Sequence, residues 1–312
     1  MRAVGFHRYG GPEVLEVIER EAPAPGAGEV RVRVGAATVN PTDIALRAGA
    51  FAERYAGLEP PFIPGMELAG EIDAVGEGSD FSVGDRVIAI VLPARALGGA
   101  QAEQVVVPAL SVAKAPPGAS IEAAATLPMN GLTVRLALDM LALAPGATLA
   151  VTGSAGAVGG YAIELGKREG LTVIADAAAA DEALVRGLGA DVVVARGEAA
   201  NAAAIREAFP DGVDAVIDAA LLGPAILPAV RDEGQLIAVR PFAGETERGI
   251  DIGLALVGDY ATNQPALQEL ARQAAAGELT LRVAGTYPAD QAAQAHRRLE
   301  AGGVRGRLLI TF

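Results

Sequence analysis

The chain has 312 residues, 51% of them hydrophobic and 20% charged, with a net charge of −13. That length suits two domains, because single cores stop growing at about 250–300 residues, and the composition is that of a globular enzyme rather than a disordered chain. The acidic balance argues against a nucleic-acid partner, and the absence of cysteine excludes disulfides and thiolate metal sites, leaving only His7 and His296, so no metal is expected.

The opening "MRAVGFHRYGG" reads as a strand and turn without an apolar signal region. No apolar run reaches the ~18 residues that a membrane span needs, so a cytoplasmic protein with no membrane partner is expected. From Met1 to about Val112, β-branched runs alternate with Gly/Pro turns, as in 29–39, 68–76, 83–91 and 102–109. Period-2 alternation with such turns predicts an antiparallel, barrel-like domain.

From Ile121 the pattern changes. Helical periodicity over 120–141 is followed by strand and helix in alternation. Strands "ATLAVTG", "LTVIAD", "DVVVA", "VDAVIDA" and "QLIAVRPF" are separated by predicted helices at 157–168, 180–188, 199–208 and 223–231. That order predicts βαβ units and a doubly wound parallel sheet of Rossmann type. The tail returns to helix 264–276, "ELTLRVAGTYP", helix 289–301 and a last strand, "GRLLITF".

Within "VTGSAGAVGGYAIELGK", Gly153, Gly156 and Gly159 follow a strand and open a helix. A dinucleotide site needs a tight turn, a close approach to pyrophosphate, and close helix–strand packing at that spacing. The helix N-terminus supplies N–H groups and partial positive charge for the anion. Asp176 ends the second strand, 23 positions after Gly153. An acidic residue there takes the ribose hydroxyls and favours NADH; the alternative is that Asp176 caps the helix that follows. The residues after it, "AAAAD", offer no base for a 2′-phosphate, and Arg186 is the nearest in that helix.

Several segments together carry a family resemblance: "YGGPEVLEV" (9–17), "VNPTDIALRAG" (39–49), "PFIPGMELAGEIDAVGEG" (61–78), "FSVGDRV" (81–87), "AATLPMNGLTV" (124–134), the glycine turn, "LGADVVV" (188–194) and "AHRRLEAGGVRGRLLITF" (295–312). Over nearly its whole length the chain resembles the medium-chain dehydrogenase/reductase superfamily, in its zinc-independent quinone oxidoreductase (zeta-crystallin-like) branch. The resemblance implies an α/β protein with a GroES-like β-barrel catalytic domain, 1–120 and 257–312, and an inserted Rossmann domain, 121–256. It places the active site in the cleft between them, and implies a homodimer.

Zinc-dependent relatives have a cysteine where this chain has Asn40 and a histidine where it has Met66, so the resemblance implies no catalytic zinc. Asn40 and Thr133 should lie beside the nicotinamide, and Gly153, Ser154, Ala155, Gly156, Ala157, Val158 and Gly159 should hold the pyrophosphate. Asp176 should meet the adenosine ribose, Ala219 and Val239 should underlie the ring and ribose, and Arg307 should approach the cofactor. Phe51, Tyr55, Met66 and Phe242 are expected to line the substrate pocket.

Plainer roles stand beside these: Asn40 holding a turn before Pro41, Thr133 packing in its helix, Asp43 ordering the 40–43 turn and His296 packing. The branch's usual cofactor is NADPH; Asp176 favours NADH. The implied reaction is hydride transfer to a quinone or related α,β-unsaturated carbonyl. An enoyl reductase or alcohol dehydrogenase-like enzyme of the same fold, and a non-catalytic nucleotide-binding protein, are the alternatives.

Overall fold

The computed structural model describes residues 1–197 and 200–312. Unit 1 comprises Met1–Met129, Ala261–Gly277 and Leu281–Phe312; unit 2 comprises Asn130–Tyr260 and Glu278–Thr280.

In chain order, unit 1 begins with β1 (Arg2–Gly5), β2 (Glu16–Glu19), β3 (Glu29–Val39) and α1 (Pro41–Arg47). It continues through β4 (Glu67–Val75), β5 (Arg86–Ile90), β6 (Gln104–Pro108), β7 (Val112–Lys114) and α2 (Ile121–Ala125). Helix α3 (Pro128–Leu141) leads into unit 2, which holds β8 (Thr148–Thr152), α4 (Ala157–Arg168), β9 (Thr172–Ala177), α5 (Glu182–Gly187) and β10 (Val192–Ala195). Then come α6 (Ala200–Ala208), β11 (Val213–Asp218), β12 (Val230–Ala238) and β13 (Asp251–Leu254), after which α7 (Gln264–Ala275), β14 (Val283–Pro288), α8 (Ala292–Glu300) and β15 (Arg307–Thr311) return to unit 1.

Strand β3 organises unit 1. Val30, Val32 and Val34 point into its core, while Arg31 and Arg33 pair across the outer face with Asp73 and Glu71 on β4, each at 2.7 Å. One edge of β3 carries β4. The other carries β6 along residues 29–33 and β15 along 36–39. The exchange falls at Gly35, where the register against β4 also slips. A Cβ there would stand 2.7 Å from Cγ2 of Ile121, so glycine lets α2 lie against the sheet.

Unit 2 is the doubly wound parallel sheet, in the order β10-β9-β8-β11-β12-β13 among the described residues. Its inner strands read as apolar runs because helices cover both faces: Leu149–Val151, Val173–Ala175 and Ala215–Ile217 are all buried.

Three details differ from the sequence expectation. The predicted helix 120–141 is two helices, because Pro128 lacks an N–H and turns Leu127 away from helical geometry. The predicted helix 223–231 is a 3-10 segment, Gly223–Ala229, with Pro228 inside it, and strand begins at Val230. A sixth strand, β13, extends the sheet beyond β12; its four residues around Gly253 carry too little pattern to be read. The expected start of the 199–208 helix lies outside the described residues, and α6 is described from Ala200. No helix among the described residues is long and apolar enough to cross a membrane.

Candidate functional site

In unit 2 the glycine turn follows β8. Gly153 has φ +66°, and a Cβ there would lie 3.2 Å from both the Ala219 carbonyl carbon and the Ala220 nitrogen. Gly159 is packed harder, with its virtual Cβ 2.4 Å from the Gly153 carbonyl oxygen, which brings α4 directly against the turn. Gly156 is the N-cap of α4, and a Cβ there would meet only the Gly153 oxygen, at 3.1 Å. The three positions therefore divide into turn, open approach and packing, as a pyrophosphate cradle requires. Ala157 and Val158 supply the first turn of α4, whose N–H groups lack intrahelical acceptors.

Ser154 and Asp176 tie this turn to the second strand. The Ser154 N–H donates to Asp176 Oδ1 at 2.9 Å, and the Asp176 N–H donates to Ser154 Oγ at 3.1 Å. Ser154 Oγ itself donates to the Val151 carbonyl at 2.7 Å. The other Asp176 oxygen accepts Nδ2 of Asn201, at 3.0 Å. Asp176 is 3% exposed, and these side-chain bonds all come from neutral donors.

Ala219 follows β11 in a loop pinned from below. Thr152 Oγ1 donates to Asp218 Oδ1 at 2.6 Å and accepts the Ala220 N–H at 2.9 Å, while Asp218 also accepts the N–H groups of Leu222 and Gly223. Val239 follows β12 and is half-buried, and Phe242 packs partly buried against the core of this unit. Gly153, Asp176, Ala219 and Val239 thus all stand at the C-terminal ends of β8, β9, β11 and β12. Strand order reverses between β8 and β11, and the crevice at such a switch point is where α/β sheets bind ligands. Thr133 is buried on α3.

Unit 1 brings Asn40 and Arg307 together. The register that pairs Leu308 with Val39 sets Arg307 beside Asn40, and the pairing of Leu68 with Ala37 sets Glu67 beside Thr38. Arg307 Nη2 donates to Thr38 Oγ1 at 2.8 Å, to Asn40 Oδ1, and to Glu67 Oε1. Thr38 donates to Glu67 at 2.6 Å and accepts Nδ2 of Asn40 at 3.0 Å. The second Glu67 oxygen accepts the Met129 N–H at 2.7 Å, and Gln101 Nε2 donates to the Thr38 carbonyl at 3.2 Å.

Asp43 anchors the backbone of this cluster by accepting the N–H groups of Asn40 and Gly65, each at 2.8 Å. Burial pushes its carboxyl up to about 6, against the lowering effect of those two bonds and of Arg307. Met66 accepts the Thr42 hydroxyl at 3.1 Å. Tyr55 lies in an apolar cluster with Phe6, Val14 and Leu46, edge-on to Phe62 at 5.5 Å, and Phe51 packs against the same cluster. Burial raises the Tyr55 hydroxyl.

Sequence reasoning missed Glu67 and Thr38, whose only sequence signal is a polar residue at an inward strand position, and Gln101, a buried residue of the loop before β6. It also missed Asn201, and Arg196, an exposed base just past β10 whose N–H donates to the Ala177 carbonyl at 3.0 Å. His296 is fully buried, neither ring nitrogen has a hydrogen-bond partner, and burial together with Arg47 pushes it down to about 3. His7 is exposed, 3.7 Å from Glu16.

Residues 26–117 match the family model of the alcohol dehydrogenase GroES-like domain, and residues 188–310 that of zinc-binding dehydrogenases. The chain is 31% identical to a chloroplastic quinone oxidoreductase of Triphysaria versicolor over 251 residues, which is 77% of this chain and 75% of that one. A solved NAD-dependent alcohol dehydrogenase superposes with a TM-score of 0.88 at 28% identity, covering all of both chains. A mycobacterial protein complexed with NADPH gives a TM-score of 0.86, also at 28% identity and full coverage of both chains.

The residues present do not fit a zinc ion. The chain has no cysteine, and among the described residues no three histidine, aspartate or glutamate side chains gather as a metal site. They do fit a dinucleotide: Gly156 leaves open the approach that a side chain would fill.

Proposed function

The chain belongs to the quinone oxidoreductase branch of the medium-chain dehydrogenase/reductase superfamily, and we propose that it reduces a quinone or a related α,β-unsaturated carbonyl. It is an oxidoreductase that binds a pyridine nucleotide. The observation that carries this reading is the convergence of Gly153, Asp176, Ala219 and Val239 at the strand ends beside the switch point.

A bound nicotinamide dinucleotide supplies the hydride. Residues 153–159 hold the pyrophosphate through backbone N–H groups and the N-terminus of α4. Ala219 and Val239 would flank the ribose and ring, and Asn40 and Thr133 are the residues that the family resemblance assigns to the nicotinamide. Orientation is the larger part of the catalysis, worth up to ~7–11 kcal/mol at the ideal limit. Asn40 is held for that purpose: Arg307 donates to its Oδ1, which fixes which end of the amide is nitrogen. One Nδ2 hydrogen goes to Thr38, and the second is the donor for the oxyanion that develops on the substrate. Phe51, Met66 and Phe242 provide apolar surface for the substrate, with Tyr55 as backing, and solvent returns the proton.

NADH is the preferred cofactor in this reading. Asp176 accepts only from neutral donors, Arg186 is engaged with Glu182 at 2.9 Å, and an acidic residue at this strand end disfavours a 2′-phosphate. The chain forms a homodimer through the open edge of β13, where Leu256 is 49% exposed just beyond the strand. Sedimentation equilibrium showing a monomer would overturn that assembly.

The test of function is oxidation of NADH and of NADPH by a panel of quinones and enones, in chelator. Turnover is expected. Nucleotide binding with no turnover on any of these acceptors would overturn the reading in favour of a non-catalytic nucleotide-binding protein.

A further inference from the structure

We propose that Asn201 is a positioning residue that sets the choice between NADH and NADPH by clamping the Asp176 carboxylate; the proposal rests on the cofactor reading above.

Asn201 lies at the start of α6, 1% exposed, and both ends of its amide are committed. Its Oδ1 accepts the Gly197 N–H at 2.7 Å, and its own N–H donates back to the Gly197 carbonyl at 2.9 Å. This reciprocal pair fixes which end of the amide is oxygen, so Nδ2 is the end that meets Asp176. Gly197 is placed by the sheet: Val194 of β10 pairs with Asp176 of β9, and Gly197 is three residues further on. The third strand and the helix after it therefore reach across to hold the end of the second.

The clamp matters because of its charge. Asp176 Oδ1 is held by the Ser154 N–H and Oδ2 by Asn201, so the carboxylate is fixed in orientation and both bonds come from neutral donors. A carboxylate fixed at this strand end is an acceptor for ribose hydroxyls and disfavours a 2′-phosphate. An arginine or lysine at position 201 would cancel that charge. An aliphatic residue would keep the charge and release the oxygen. Arg196, exposed past β10, is the opposing group, because it offers a cation to a 2′-phosphate.

The experiment is equilibrium titration of the full chain with NADH and with NADPH, followed by nicotinamide fluorescence, for wild type, Asn201→Leu and Asp176→Ser. Wild type should bind NADH more tightly. Asn201→Leu should weaken NADH about tenfold, the scale of one lost hydrogen bond to a charged group, with NADPH unchanged or tighter. Asn201→Leu in the Asp176→Ser background should then change little. If Asn201→Leu weakens both nucleotides equally, or neither, Asn201 does not set selectivity, although the cofactor reading stands. If wild type binds NADPH as tightly as NADH, the cofactor reading itself falls. Asn201→Ser, which retains a hydroxyl donor, repeats the comparison should the leucine variant not fold.

Discussion

Arg307 and Glu67 form an ion pair sealed inside unit 1, their side chains 7% and 0% exposed. The pair joins the first residue of β15 to the first of β4, and Asn40 and Thr38 bond to it. Removing one partner would leave a buried charge alone. Glu67→Gln should therefore lower unfolding free energy by about 3–5 kcal/mol, read by urea denaturation. Glu67→Leu combined with Arg307→Met should cost less than the single change, because no charge is then stranded.

Gly156 and Gly159 should separate binding from stability. An alanine at 156 meets only the Gly153 oxygen, so Gly156→Ala should shift folding stability by no more than about 1 kcal/mol. It fills the nucleotide's approach, however, and NADH affinity should fall more than tenfold, or about 1.4 kcal/mol. Gly159→Ala drives a methyl into the Gly153 carbonyl and should lower the melting temperature as well. Calorimetry and nucleotide titration on the same samples check both.

Two buried groups give the acid limb of stability opposite slopes. His296 is held near 3 against an ordinary 6.5, so the unfolded chain takes up the proton first and stability falls as pH drops from 6.5 towards 3. Asp43 is raised to about 6 from 3.8, so the native state takes up its proton first. Its contribution is present below 3.8 and is lost as pH rises through 6. The larger displacement is that of His296, so net stability should fall on acidification. His296→Leu should flatten or reverse that slope between pH 6 and 4, measured by urea unfolding at each pH.

Arg196→Ala tests the opposing charge at the ribose site. NADPH affinity should drop about fivefold, the scale of an exposed charge contact, and NADH affinity should hold. Raising the salt concentration should shrink the same difference. A change in both nucleotides alike would remove Arg196 from this site.

The parallel sheet was legible because its signals are local. Buried strands are apolar runs, and Gly153, Gly156 and Gly159 each answer a steric demand from within a few residues or from the next strand. The family resemblance extended that reading to both ends of the chain. Asp176 could be placed by its distance from the turn, but Asn201 could not, since an amide in "AANAAAIREA" reads as a solvent-facing position. Glu67 stayed hidden for a stronger reason: its partner is 240 residues away, and no local pattern marks one glutamate as the counter-ion of one arginine. Helix α1 spans only seven residues, too short to show a period, although the turn at its start was legible: Asp43 orders 40–43, as expected, by accepting the Asn40 N–H.

Strand β3 also bears on how the chain comes off the ribosome. Its second half is edged by β15, so the bond from Arg307 to Thr38 spans 269 residues. Unit 2 is drawn almost wholly from the stretch 130–260. Synthesis therefore delivers a nearly complete nucleotide-binding unit while β3 still has an open edge beyond Gly35. The residues that hold Asn40 close over it only once β15 emerges, so β3, made long before, is completed late.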